Sequence, residues 1–215
     1  MRISATVLES YRRWQAMEDG EQADQAEQEL QAYIRGEFVP TAAITIGKAY
    51  HAILEKPQRS LFGNYKMDGC IFERSCIENM LDLIPPGLHE VKTTRELLVP
   101  GTGIVTLVAK CDHIVGSQIS EFKTTLGTFK AKKYMDSVQW KVMVLLFEAS
   151  LVTYYVACLR DGEDGFELRS LEQLNVWPYP VLEQDVRALL KEFCGYVKAV
   201  GLDGYLKPKA NGVSV

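Results

Sequence analysis

Two carboxylates and a lysine sit close together in a short part of this chain. They are Asp112, then Glu121 and Lys123 within "SEFKTT" (120–125). Between them stands Gly116-Ser117, flanked by the β-rich runs "IVTLVAKCDHIV" and "QISEFKTT". Glycine at the first central position suits a two-residue hairpin turn. With Val115 opposite Gln118, Asp112 falls opposite Glu121. Residues two apart on a strand share a side, so Lys123 joins them. Directly opposed Cβ atoms are roughly 4.5–5.5 Å apart. At that range, with an effective dielectric of about 20, two carboxylates repel by roughly 3 kcal/mol. A divalent cation relieves that repulsion, and hard oxygen ligands suit Mg²⁺ or Mn²⁺. The competing reading is a surface patch in which Lys123 or Lys110 neutralises the acids. The same register sets Lys110 opposite Lys123, a conflict that a slipped register or a bound phosphate would relieve.

A near copy, "HEVKTT" (89–94), repeats the E-x-K spacing with Glu90 and Lys92. Upstream of it, "LIPPGLH" separates Glu90 from Asp82 and cannot form a hairpin strand. This hexamer therefore reads as an ordinary strand without a second carboxylate. His113 alternates away from Asp112, His89 shows no partner, and neither is assigned a role.

The elements that must position these residues follow from periodicity. Residues 5–18 form a helix with Val7, Leu8, Tyr11 and Trp14 on one stripe. A very polar helix over 21–35 ends near Gly36. Pro40-Thr41 open a third helix, "AAITIGKAYHAILEK", which stops before Pro57. A helix is expected over 72–83, with a break at "PPG". Three strands follow: 89–99 up to the turn "PGTG", then 104–115, then 118–125. A helix covers 131–149. Two strands flank the turn "DGEDG", "WPYP" (177–180) is a rigid turn, and an amphipathic helix over 181–199 aligns Val186, Leu189, Leu190, Phe193 and Val197. This order predicts an α/β (α+β) fold, a mixed central β-sheet flanked by helices. One domain spans 1–215, with N-terminal helices in 1–57, a catalytic core in 89–150, and residues 151–215 read only as structure.

Composition excludes several classes. At 215 residues the chain can bury a continuous core. It has no long apolar run, so no membrane span is expected. Its first residues turn polar too soon for a secretory signal. Five cysteines without a CxxC pair indicate reduced thiols and a cytoplasmic protein. A net charge of −4 argues against a wholly basic surface, though not against a local basic groove. Lys130, Lys132, Lys133 and Lys141 form a basic stretch just after the site, either a phosphate contact or a solvated helix start. Tyr134 and Trp140 are better read as core than as base-stacking residues.

Asp112, then Glu121-Phe122-Lys123 after a short hairpin, then a helix carrying Gln139, resembles the PD-(D/E)XK nuclease superfamily. Upstream, "ISATVLESYRRW" is similar to the opening helix of RecB-like members. "IGKAYHAILE" resembles their G-x-x-x-H-x-x-x-E helix, here Gly47, His51 and Glu55, and "SVQWKVMVLLF" their glutamine helix. The matched segments run in order from about residue 3 to 150. The set is most similar to the lambda-exonuclease-like, phage-type branch. Ala109 and Met143 stand where many members carry glycine and tyrosine.

The resemblance implies a restriction-endonuclease-like core and a Mg²⁺-dependent (or Mn²⁺-dependent) deoxyribonuclease acting on duplex DNA ends. It implies that Asp112, Glu121 and the main-chain carbonyl of Phe122 ligate the metal. His51 would be a ligand or water positioner, with Glu55 one helical turn away. Lys123 would orient the attacking water or stabilise charge, and Gln139 would hold the phosphate or Lys123. The cysteine pattern of the iron–sulfur members is missing, so no cluster is expected. DNA is the implied partner, and a single-strand annealing protein and a homo-oligomer are compatible with this branch. The alternatives are a binding or scaffold module that has lost cleavage, and an endonuclease in defence or repair.

Overall fold

The computed structural model describes residues 1–55 and 63–207. The expected helix stop before Pro57 lies outside the described residues. The chain opens with a short strand β1 (Arg2–Ser4) and helix α1 (Ala5–Gln15). Ser4 caps α1 by accepting a hydrogen bond from the Val7 N–H at 3.2 Å. Helix α2 (Glu21–Arg35) ends at Gly36, whose φ of 80° is the left-handed cap that glycine adopts cheaply. Helix α3 (Ala42–Glu55) buries Ile46, Ala49, Tyr50, Ile53 and Leu54 along one stripe. Then come β2 (Tyr65–Met67), β3 (Cys70–Phe72) and α4 (Arg74–Leu81). The central strands are β4 (Leu88–Val99), β5 (Gly103–Val115) and β6 (Gln118–Thr125). Helices α5 (Ala131–Met135) and α6 (Val138–Phe147) lead to β7 (Leu151–Gly162), β8 (Gly165–Val176) and α7 (Leu182–Ala199). A 3-10 turn, Asp203–Leu206, follows.

Among the described residues, eight strands form one mixed sheet. Its order is β1-β5-β6-β7-β8-β3-β2, with β4 paired along the other edge of β5. β4 and β6 each pair antiparallel with β5, whereas β1–β5 and β6–β7 are parallel. The α5–α6 segment is the crossover that a parallel β6–β7 pair requires. Alternation along β7 separates two cores: Val152, Tyr154 and Val156 enter one, while Tyr155, Ala157 and Leu159 pack in the other. The first core holds α1, α6 and α7, and the second holds α3, α4 and Phe122. The expected mixed sheet flanked by helices is therefore present. No helix among the described residues is long and apolar enough to cross a membrane.

Three differences from the sequence reading have local causes. The helix expected over 131–149 is two helices, because Ser137 breaks the run and caps α6 by accepting from the Gln139 N–H. Phe72 ends a strand, and α4 starts only at Arg74. β1, β2 and β3 are three residues each, too short to show a period.

Glu9 ties α1 to α6. It is only 3 % exposed, and its carboxylate pairs with Arg12 at 2.9 Å and Arg13 at 2.7 Å. It also accepts hydrogen bonds from the Ser137 Oγ–H (3.0 Å) and the Val138 N–H (2.7 Å), at the start of α6. Burial opposes its ionisation, but Arg12 and Arg13 outweigh that and hold its pKa below the ordinary value. A depressed carboxylate stabilises the fold at neutral pH and loses that contribution as pH falls through the folded pKa. Glu9→Ala is expected to cost about 3 kcal/mol at pH 7 and to flatten the acid limb of stability. Urea unfolding at pH 7 and pH 4 checks this, and an unchanged midpoint would contradict the clamp.

Candidate active site

The β5–β6 ladder pairs Val115 with Gln118, Ile114 with Ile119 and His113 with Ser120, the register expected from the Gly-Ser turn. Gly116 takes φ 56°, the left-handed geometry such a turn needs. Past His113 the strands part. Lower down, the same edge of β5 pairs with β1 through Thr106–Val108. Among the described residues no ladder pair covers 109–112 on that edge. There the backbone bonds are replaced by side chains. The Asp112 N–H donates to Glu121 Oε1 at 3.1 Å, and the Phe122 N–H donates to Asp112 Oδ2 at 2.8 Å. A cleft of about 560 Å³ opens at this point, and Asp112, Glu121, Lys123, Gln139, Val7 and Met143 contribute to its lining.

Lys123 balances the two acids. Its Nζ donates to Glu121 Oε2 at 2.7 Å and lies 3.7 Å from Asp112 Oδ2. Burial would lower the Lys123 pKa, but Glu121 and Asp112 outweigh it and raise it, so the ammonium stays charged. Burial also opposes ionisation of Asp112. Lys123 and His51 reverse this and hold its carboxyl well below the usual range. Glu121 behaves oppositely: burial and the Asp112 charge push it up to about 6, with Lys123 offsetting only part. The expected conflict between Lys110 and Lys123 does not arise. Lys123 turns to the acids, and Lys110 pairs with Glu90.

His51 comes from α3, with Nδ1 3.4 Å from Asp112 Oδ1. The structure adds a residue that the sequence reading set aside. Glu90 lies where β4 crosses Asp112, and ligand atoms of His51, Glu90 and Asp112 all lie within 4.8 Å of one another. The β4–β5 ladder runs through His89–His113 and Val91–Cys111 but skips this rung, where Glu90 has φ 56°. "HEVKTT" thus has a carboxylate neighbour after all. It lies across the downstream hairpin with β5, not upstream. His89 likewise has a partner, since its ring stands 4.9 Å from that of His113. Donors about 2–2.5 Å from one shared ion can be at most about 5 Å apart, so imidazole and carboxylates here fit a divalent cation.

The other expected site residues divide. Gln139 lines the cleft beside Lys123, with Nε2 3.5 Å from Thr6 Oγ1. Phe122 is buried in the second core, its N–H committed to Asp112. Glu55 is exposed at the last position of α3 and outside the His51–Glu90–Asp112 group. Lys133 lines an adjoining groove with Lys123 and Arg13, and Lys130 a further one beyond it. Lys132 instead pairs with Asp136 at 2.7 Å. Lys141 lies 3.8 Å from Asp185 and over the Tyr179 ring. Tyr134 and Trp140 are buried, as core residues should be. Besides Glu90, the sequence reading missed Arg2, Arg13 and Lys92, which only tertiary contacts bring to these grooves.

No protein-family model matches the chain, and no curated protein matches it. Among solved structures, SSO0001 superposes with a TM-score of 0.52 at 16 % identity, over 91 % of this chain and 76 % of that one. LHK-Exo, an alkaline exonuclease from Laribacter hongkongensis, gives 0.44 at 13 % identity over 94 % of each chain. Its complex with dAMP gives 0.47 at 12 % identity, over 92 % of this chain and 88 % of that one. The superposition on SSO0001 shows a shared fold. In this chain the hairpin and crossover hold Asp112, Glu121 and Lys123 at one mouth of the sheet.

Mn²⁺ or Mg²⁺ is expected to raise the melting temperature, since 100-fold excess over Kd stabilises by about 2.7 kcal/mol. Asp112→Asn should remove this shift, and Glu90→Gln should weaken affinity roughly ten-fold. If Glu121 ligates the ion, as the sequence resemblance implies, metal must displace its proton, and the shift should fade as pH falls through about 6. Differential scanning fluorimetry with and without EDTA measures all four, and a shift that survives Asp112→Asn would relocate the site.

Proposed function

We propose that this protein is a nuclease that uses Mg²⁺ or Mn²⁺ to hydrolyse phosphodiester bonds in DNA, as a phage-type exonuclease working on duplex ends. The observation that carries this reading is the meeting of Asp112, Glu121 and Lys123 at the parting of β5 and β6, with His51 beside Asp112. The preference for ends, and a single-strand annealing protein as partner, rest on the sequence resemblance.

Asp112 and Glu121 would hold the metal, with His51, Glu90 and the Phe122 carbonyl completing the donor set. When bound, such an ion lowers the pKa of a coordinated water and offsets charge on the phosphate. Lys123 remains protonated between two acids, so its Nζ acts as a fixed positive charge toward a phosphate oxygen and as a donor that orients the water. Gln139, near Thr6, offers a second donor to the phosphate. Val7 and Met143 give the cleft apolar walls that limit stray water. Lys130 and Lys133 extend the cationic track away from the reacting phosphate.

Purified protein incubated with Mg²⁺ should degrade linear duplex DNA and spare closed circles, and EDTA should stop it. Asp112→Asn and Lys123→Ala should each lower the rate by at least about 100-fold. Cutting of closed circles would replace the exonuclease with an endonuclease. Binding without cleavage under either metal would favour the scaffold alternative.

A further inference from the structure

The end of the described chain returns to the cleft. Leu202 and Leu206 are buried in the first core and pin the 3-10 turn Asp203–Leu206. That anchoring leaves Tyr205, between them, 58 % exposed in the lining of the cleft that holds Asp112, Glu121 and Lys123. Its hydroxyl makes no hydrogen bond and its ring no aromatic contact among the described residues. A tyrosine ring offers apolar area that burial would stabilise and a π-face suited to stacking. Around it the same cleft gathers Arg2, Lys92, Lys110 and Lys207. Lys110 is neutralised by Glu90. Arg2 and Lys92 have no carboxylate partner among the described residues. A concentration of cations in a protein of net charge −4 marks an anion path, not a general surface property.

We infer that Tyr205, with Arg2, Lys92 and Lys207, forms a subsite for a single-stranded segment of the nucleic acid, next to the phosphate being cut. One base stacks on the Tyr205 ring, and the flanking phosphates meet the cations. Inside a duplex each base face is already covered by its neighbours, so the ring is usable only by an unstacked base. The cleft volume of about 560 Å³ lies in the range of small-ligand sites and suits a nucleotide-sized group, not a double helix. This rests on the nuclease reading and deepens it by naming the residues that would hold the strand beside Asp112 and Glu121.

The test is equilibrium binding by fluorescence anisotropy, in EDTA so that the strand survives. The probes are a short single-stranded oligothymidylate and the same backbone with abasic sites. Tyr205→Ala is expected to weaken binding of the intact strand by roughly five- to one-hundred-fold, the effect of deleting a base-stacking aromatic. Tyr205→Phe should stay within about two-fold of wild type, since the ring does the work. Wild type should prefer the intact strand to the abasic one, and Tyr205→Ala should bind both alike. Equal binding of the two probes by wild type, or a Tyr205→Ala variant that keeps the preference, would overturn the stacking subsite. Failure of wild type to bind either strand would overturn the nucleic-acid reading of the whole cleft.

Discussion

Where β5 and β6 part, carboxylate side chains bond two peptide N–H groups, those of Asp112 and Phe122. An unsatisfied buried donor costs about 1–3 kcal/mol. Asp112 accepts from the Phe122 N–H and Glu121 accepts from the Asp112 N–H, so each acid closes the gap in the opposing strand. This exchange fixes both carboxylates at the mouth of the sheet and brings them near each other. Lys123 then becomes necessary, because two buried acids without a cation would not both ionise. Asp112 is thus firmly ionised, while burial and the Asp112 charge push Glu121 up to about 6. On the proposed reading, the carboxylates that bond the parting strands would also be the ones that hold the metal. Asparagine at 112 keeps an acceptor for Phe122 and removes the charge, which makes it a cleaner probe than alanine.

The rest of the fold serves this mouth from two sides. On one, α3 brings His51 against Asp112 while its apolar stripe packs with Phe122 in the second core. On the other, Glu9 fastens α1 to the first turn of α6, which carries Gln139 into the cleft. Because Glu9 also holds Arg13, one buried carboxylate sets both a helix start and a cation of the adjoining groove. The long β4–β5 pairing supplies Glu90 from a third direction.

The β5–β6 hairpin was legible because a two-residue Gly-Ser turn admits one register, and that register is observed in its three ladder pairs. The long strands, the amphipathic α7 and the mixed sheet were legible for the same reason: their periods repeat over many residues. Glu90 was missed because its company was sought upstream of Pro85, whereas it comes through the turn at 100–102 that returns β4 onto β5. Ladder pairing of Val99 with Gly103 carries down the strands to set Glu90 beside Asp112, a count that a looser turn leaves open from sequence. Lys132 and Lys141 look like their basic neighbours in sequence, and only tertiary structure gives them Asp136 and Asp185 as partners. Tyr205 left no signal, since neither its type nor its spacing tells that a 3-10 turn far from the hairpin closes over the same cleft.

The account stands on one cation position, between the Asp112 carboxylate and its neighbours at the parting of β5 and β6. A crystal soaked in Mn²⁺ and measured at the manganese absorption edge locates that ion directly. The predicted result is an anomalous peak within about 2.0–2.3 Å of an Asp112 oxygen, in contact with Glu121 or with His51 and Glu90, and absent in Asp112→Asn crystals. A peak held by other residues, or none in a soaked crystal of the intact protein, would contradict it.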